Sequence, residues 1–245
     1  MKIVPVFFLF TYFLGIEQDS NKILTANEAY NAGKYTEAIE LYQQILQNDL
    51  GGFGLYSNMA RSYAMTNQDN HAILYFEKAL KLKPNDTNVQ ADIKKIRQRN
   101  TQIEQNNISY FENSWIKFTG IFSPNVWGYI SICIFIIFVI SLFLYKRIEQ
   151  KYKYPQLFTA SIVLLFFVIV IITKSRYTQV YDGNYLIIME QNTKLKKGPD
   201  SLSPDIDTMV PGTKVSKQDQ LNDWVQIKDT YGNIGWVDVK NVASI

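Results

Sequence analysis

Three residues that can bind an anionic group recur at one spacing in the first half of the chain. Asn27, Arg61 and Lys95 are 34 residues apart, and Tyr30 and Ala64 follow the first two by three positions. If a structural unit of that length repeats, these side chains line one surface. Amide, guanidinium and ammonium groups pair well with carboxylates, so the row is typical of a groove for an acidic segment or the carboxylate end of a peptide. The alternative is a solvated stripe without a partner.

The residue types needed for catalysis do not form a recognisable pattern. His71 is the only histidine and Cys133 the only cysteine, and no nucleophile–base constellation, His/Cys metal cluster or phosphate-binding glycine loop is present in the sequence. Cys133 falls in an apolar run, where a thiol acts as a small apolar side chain. We therefore expect no enzymatic activity, no catalytic residue, no metal and no cofactor.

The 34-residue period also covers the apolar positions of residues 21–105. The matched pairs are Ala26 and Ala60, Ala38 and Ala72, Tyr42 and Phe76, and Ile45 and Ala79. This pattern resembles the tetratricopeptide repeat. The resemblance implies an all-α solenoid with repeats at about 22–52 and 53–86, a capping helix at 87–100, and a protein partner bound by the first helix of each pair. The lysines of the family's carboxylate clamp are replaced by Ile23, Ser57 and Ala91, which argues against that binding mode.

Two apolar runs, residues 126–145 and 156–173, have about the length that a helix needs to cross a bilayer. The loop between them, residues 146–155, carries four Lys and Arg residues and one acid, and such loops stay on the cytoplasmic side. The sequence thus predicts a two-helix transmembrane hairpin with both long arms outside the cytoplasm. Two buried core helices of a soluble protein are the alternative, which the apolar character of the whole circumference disfavours.

The segments beside the hairpin also point to a membrane. Residues 1–16, with Lys2 before an apolar stretch, are typical of a signal peptide, but Phe13 and Gly15 make a poor cleavage site, so an uncleaved anchor stays open. Residues 106–124 are expected to be a linker whose aromatic residues contact the bilayer surface.

Residues 180–245 alternate short β-branched runs with turns, and about five strands are expected, the size of a small closed barrel. The stretches PGTKV and NDWVQIKDTYGNIGWVDVKNV resemble the bacterial SH3-like domain, which implies an all-β barrel. Trp224 and Trp236 either border a ligand groove or pack over a small core. Asp238 stands where the family's peptide groove has a proline, which disfavours proline-rich ligands.

The charge balance excludes one class of partner. Residues 16–113 hold ten basic and twelve acidic residues, and residues 180–245 hold seven and nine, so neither arm has the basic surface of a nucleic-acid-binding protein. The expected partners are therefore proteins and the lipid bilayer.

The order of the segments resembles the BatE family of bacterial aerotolerance operons. That resemblance implies a multidomain, non-enzymatic scaffold of the bacterial inner membrane, with both soluble domains in the periplasm. Its implied partners are Bat proteins with von Willebrand factor A domains and a MoxR-type ATPase system, in envelope stress or oxygen tolerance. The alternative function is a cell-wall sensor or anchor whose SH3-like domain binds peptidoglycan.

Overall fold

The computed structural model describes residues 21–48, 50–100, 110–149, 155–181 and 185–245. The chain forms two compact units, one made of Met1–Asn107 together with Gly183–Ile245 and the other of Ile108–Asp182. The predicted signal peptide, the start of the predicted linker and residues 150–154 of the predicted cytoplasmic loop lie outside the described residues.

Between residues 21 and 100, the described part of the first unit forms five helices. They are α1, described over residues 21–31, α2 (Tyr35–Leu46), α3 (Phe53–Met65), α4 (Asp69–Leu82) and α5 (Thr87–Arg99). The turns within the two helix pairs have the same backbone conformation. Gly33 and Asn67, which are 34 residues apart, both have a left-handed φ, 76° and 60°. Such residues end a helix because the bonds they allow satisfy its last carbonyl groups.

The apolar positions matched in the sequence form the core between these helices. Ala26, Ala38, Ala60 and Ala72 are all 0% exposed, so helices approach closely where the side chains are smallest. The larger side chains of Tyr42 and Phe76 fill the rest of this core, and they are also fully buried. Helix α5 begins at a cap, because the Asp86 carboxylate accepts a hydrogen bond from the backbone N–H of Val89 at 3.0 Å.

The C-terminal part of the first unit is a single antiparallel sheet. Its strands are β1 (Tyr185–Ile188), β2 (Thr193–Lys196), β3 (Asp205–Met209), β4 (Lys214–Leu221), β5 (Trp224–Lys228), β6 (Ile234–Asp238) and β7 (Val242–Ser244), in the order β3-β2-β6-β5-β4-β1-β7. The prediction of about five strands in a closed barrel is wrong, because seven strands form an open sheet with β3 and β7 as its edges. Strand β3 has four exposed residues and only one buried one, so its sequence lacks the alternation used to recognise strands.

Alternate residues of the central strands build the sheet's own core. It includes Leu186, Ile188, Val215, Val225, Ile227 and Val237, packed with Leu195 and Met209. Gly235 is required on β6, since a Cβ there would lie 2.7 Å from Leu195 Cγ and 2.8 Å from the Lys196 carbonyl oxygen.

Strand β1 joins this sheet to the helices. Leu186 and Ile188 face the sheet core, and Ile187 between them is also 0% exposed, as a member of the hydrophobic cluster of the helices. Helix α4 lies against β1. The sheet and the repeat helices are therefore packed together within one unit.

The described residues of the second unit form three helices, α6 (Tyr110–Thr119), α7 (Pro124–Glu149) and α8 (Pro155–Tyr181). Two stretches, Pro124–Phe143 and Ala160–Tyr181, are long and apolar enough to cross a membrane, and only 11% of each window is buried. A core helix of a soluble protein would be mostly buried, so this exposure favours contact with lipid. Helix α8 continues to Tyr181, past the predicted end of the second apolar run at residue 173.

Helix α6 occupies much of the segment expected to be a linker. The Trp115 indole donates to Ser175 Oγ at 2.8 Å, and Thr119 Oγ1 donates to Gln179 Oε1 at 3.0 Å, which fixes α6 on the end of α8. Phe118, Ile121 and Phe122 are exposed. These two side-chain hydrogen bonds hold residues 110–119 of the expected linker against α8.

Candidate functional site

The residues predicted for the groove lie on the first helices of the pairs. Asn27 and Tyr30 belong to α1, Arg61 and Ala64 to α3, and Lys95 to α5. Side-chain hydrogen bonds link α1 to α3 and α3 to α5, so the three helices present one connected surface. We call this surface the repeat face, made of the five predicted residues with Asn58 and Asp92.

Arg61 is held in place by an acidic neighbour that the sequence analysis missed. Its Nε donates to Asp92 Oδ2 at 2.9 Å, and the side chains of the two residues are 32% and 24% exposed. The carboxylate partly neutralises the guanidinium, so the repeat face is less basic than the row of predicted residues suggested. The same bond restricts the rotamers of Arg61, which lowers the entropy cost of binding a ligand there.

Helix α5 contributes two further positively charged side chains, Lys95 and Arg99, near the repeat face. Lys95 Nζ lies 3.8 Å from Asp92 Oδ1, and its side chain is 77% exposed, so the ammonium group stays available to a ligand. The Arg99 guanidinium pairs with Asp69 and also donates to the Ala64 carbonyl oxygen at 3.3 Å. Ala64 thus contributes its backbone carbonyl oxygen to hydrogen bonds between α3 and α5.

Asn27 accepts hydrogen bonds from two other side chains beneath the repeat face. Its Oδ1 accepts hydrogen bonds from the Tyr42 hydroxyl at 2.7 Å and from Asn58 Nδ2 at 3.0 Å. Tyr42 is fully buried, and burial raises the pKa of its hydroxyl above the ordinary value. Asn27 therefore satisfies a buried donor as well as lying in the predicted row. Tyr30 packs edge-on against Tyr35, with ring centroids 5.8 Å apart.

Two residues of the repeat face, Asn58 and Asp92, were missed in the sequence, although their spacing could have identified them. Asn58 and Asp92 are 34 residues apart, as are Arg61 and Lys95, and each precedes its basic neighbour by three positions. On a helix, residues three apart lie next to each other, so a second polar column beside the first was predictable from the same period.

Trp224 and Trp236 lie together on the outer side of the sheet. Their strand neighbours Val225 and Val237 are in the sheet core, and side chains alternate along a strand, so both indoles point away from that core. Both are partly exposed. The structure thus places neither tryptophan in the core, and we call this surface the tryptophan face.

Polar residues surround the two indoles. Trp236 lies opposite Lys196 on one side and Gln226 on the other, and Trp224 lies opposite Asp238. Lys196 Nζ donates to Asp205 Oδ1 at 2.8 Å, and this bond lowers the pKa of the Asp205 carboxyl group. Aromatic surface beside fixed polar groups is suited to a ligand with both apolar and hydroxyl or amide groups.

His71, the single histidine of the sequence, packs against an aromatic side chain. His71 stacks on Tyr63 with ring centroids 5.0 Å apart, and burial lowers the pKa of its imidazole. No group of three or more His, Cys, Asp or Glu residues suited to a metal ion is found among the described residues.

Two segments of the chain match known families. Residues 53–86, which cover α3 and α4, match the tetratricopeptide repeat. Residues 191–243, which cover β2 to β6 and most of β7, match the bacterial SH3 domain. No curated protein matches the chain. Arg61 and Ala64 lie in the first matched segment and both tryptophans in the second, whereas β1 precedes it.

The dual role of Asn27 can be tested by Asn27→Ala. The substitution leaves the buried Tyr42 hydroxyl without its acceptor, so the free energy of opening α1 and α2 should fall by about 1–3 kcal/mol. Hydrogen exchange measured by mass spectrometry on the full chain in mild detergent reports this loss. The control Asn31→Ala, at an exposed position of α1, should change it by less than about 0.5 kcal/mol. Equal exchange in wild type and Asn27→Ala would contradict the assignment.

Proposed function

We propose that this chain is a non-enzymatic adaptor held in the bacterial inner membrane, whose repeat face recruits a protein partner in the periplasm. The observation that carries the proposal is the Arg61–Asp92 pair, which fixes a guanidinium on a surface shared by three helices. Exposed Lys95 lies beside it. Two cations around one carboxylate favour a partner segment that supplies further acidic groups.

The helix pair α1–α2 acts as a second tetratricopeptide repeat in this proposal. It shares with α3–α4 the left-handed turn residue and the buried alanines at matched positions. With α5 as the cap, the helices form a short solenoid, and such stacks bind extended partner segments on the first helices. A Bat-type complex with von Willebrand factor A domain proteins and a MoxR-type ATPase is the partner set that the order of domains favours.

Packing of the sheet against α4 supports a location of both arms on one side of the membrane. The chain leaves the first unit at Asn107, passes through the two apolar helices and returns at Gly183. Two parts of one folded unit lie on the same side, so the chain between them crosses the bilayer an even number of times. The cationic loop at residues 146–155 favours a turn in the cytoplasm, and therefore a unit outside it.

Recruitment by the repeat face is tested with the double variant Arg61→Gln and Lys95→Gln. Removing two charge-assisted hydrogen bonds should lower partner recovery at least about tenfold, since each typically contributes about 1.5–3 kcal/mol. Cross-linking in cells followed by quantitative mass spectrometry of the purified full chain measures recovery. Lys34→Gln, exposed in the first inter-helix turn, serves as the matched control and should leave recovery unchanged. Undiminished recovery with the double variant would rule out the repeat face.

Sidedness is tested by cysteine labelling in a Cys133→Ala background. Single cysteines at exposed Asn31 and Gln220 should react with a membrane-impermeant maleimide in intact cells, because both lie in the unit assigned to the periplasm. A cysteine at Gln150 should react only after the cells are permeabilised. If position 31 or 220 needs permeabilisation, the proposed location is wrong.

A second candidate function, peptidoglycan binding, is favoured by the tryptophan face. Trp224 and Trp236 are partly exposed beside Lys196, Gln226 and Asp238, and sugar–peptide polymers offer both apolar ring faces and polar groups. In this case the sheet contacts the cell wall while the repeat face binds a protein.

Co-sedimentation of the full chain with purified peptidoglycan tests this candidate. Trp224→Ala with Trp236→Ala should weaken binding about tenfold, since aromatic contacts contribute roughly 0.5–1.5 kcal/mol each. Ile234→Ala, an exposed apolar residue of β6, is the control and should bind as wild type does. Wild type that stays in the supernatant would exclude this function and leave the adaptor role intact.

A further inference from the structure

We propose that the sheet is an intramolecular cap for the repeats, so that the periplasmic body is one folded unit built from both ends of the chain. The binding surface is the outer side of β1, β4 and β7, and its partner is α4 of the same chain. The membrane hairpin is then an insertion within this unit. The inference rests on the proposed function only in that the hairpin crosses the membrane.

Strand β1 carries the apolar part of this surface. Side chains alternate between the two faces of a strand, yet Leu186, Ile187 and Ile188 are 4%, 0% and 0% exposed. One face of β1 is buried in the sheet's own core, so the burial of Ile187 requires a cover on the other face. The helical cluster supplies that cover, and Met189, Val210, Ala243 and Ile245 pack around it.

The strand register extends the surface across three strands. Ile187 lies opposite Lys214 of β4 and Ala243 of β7, so the three side chains share the outer face of the sheet. Ile187 and Ala243 are apolar or small, which lets α4 approach, whereas Lys214 places a cation at the border. We call this set, with Met189 and Ile245, the docking face.

A carboxylate on α4 recognises that cation. Glu77 Oε2 lies 2.8 Å from Lys214 Nζ, and Glu77 Oε1 lies 3.6 Å from an Arg97 terminal nitrogen of α5. The side chains are only 10%, 14% and 17% exposed for Glu77, Lys214 and Arg97. Removing one member of such a buried group leaves an uncompensated charge, so the cluster selects this docked arrangement over others.

Hydrogen bonds to the backbone fix both ends of α4 on the sheet. Asn70, in the first turn of α4, donates from Nδ2 to the Met189 carbonyl oxygen at 2.7 Å. Lys81, in the last turn, donates from Nζ to an Ile245 backbone oxygen at 2.7 Å. The docking face thus contacts α4 along most of its length rather than at one point.

The cap has two consequences for binding. It covers the side of α4 that a stack of so few repeats would otherwise expose, and each repeat needs a neighbour to bury its apolar surface. It also leaves the repeat face and the tryptophan face outside the contact, since the residues of neither surface are part of the docking face. Partners of the repeats are thereby excluded from this side of α4, while the repeat face on α1, α3 and α5 stays accessible.

The proposal is tested by cutting the membrane hairpin out of the intact protein. Protease sites are inserted between residues 101 and 107 and between residues 182 and 184 of the full chain in mild detergent. After cleavage, the repeat fragment and the sheet fragment should elute together in size-exclusion chromatography, one to one, separated from the hairpin. Wild-type fragments that elute separately while circular dichroism shows both still folded would overturn the cap.

Charge reversal at the border identifies the contact. Lys214→Glu faces Glu77 and should weaken fragment association by about 100-fold or more. Lys228→Glu, an exposed lysine on the outer side of β5, is the matched control and should leave association unchanged. Ile187→Glu is a second variant that spares the sheet's own core and should also separate the fragments. Co-elution of both variants at wild-type strength would overturn the assigned docking face.

Failure of the cap and failure of the proposed periplasmic location would give different results. Separate wild-type fragments with periplasmic labelling at positions 31 and 220 reject the cap alone. Fragments that co-elute, with labelling only after permeabilisation, reject the periplasmic location and keep the cap.

Discussion

Burial of β1 on both of its faces is the constraint on which the arrangement of the soluble parts depends. One face completes the sheet core, and Ile187 on the other face enters the core of the helices. The Glu77–Lys214 pair beside it joins residues that are 137 positions apart in the chain. Contacts this distant in sequence make the repeats and the sheet one unit, although two long apolar helices lie between them in the chain.

This constraint decides which surfaces remain for ligands. Helix α4 is covered by the sheet, so the first helices of the repeats and the outer side of β5 and β6 are left as the candidate binding surfaces. On the first of these, the Arg61–Asp92 pair replaces a purely basic row by a guanidinium held in one orientation. A fixed charge with a nearby flexible lysine is more selective than a row of free cations, since only some ligand geometries reach both.

In the second unit, side-chain hydrogen bonds connect α6 to α7 and α8 at one end of the apolar helix pair. Trp115 and Thr119 of α6 bond to Ser175 and Gln179 of α8, and the Trp127 indole of α7 donates to the Thr119 carbonyl oxygen at 2.8 Å. The apolar stretches themselves expose most of their surface, which in water would be unfavourable and in lipid is expected.

The sequence by itself determined the features that depend on local periodicity. The 34-residue period identified the buried alanines, because matched residues in a repeat meet the same neighbours. The period also indicated Arg61, the strand pattern indicated Trp224, and the length of the apolar runs indicated the helices α7 and α8. Only the tertiary structure decided that the sheet is open, that Asp92 pairs with Arg61, and that Ile187 and Lys214 meet α4. Those features are contacts between residues far apart in the chain. The 34-residue period gives the column in which Asp92 lies, but the local sequence does not state which distant side chain each residue contacts.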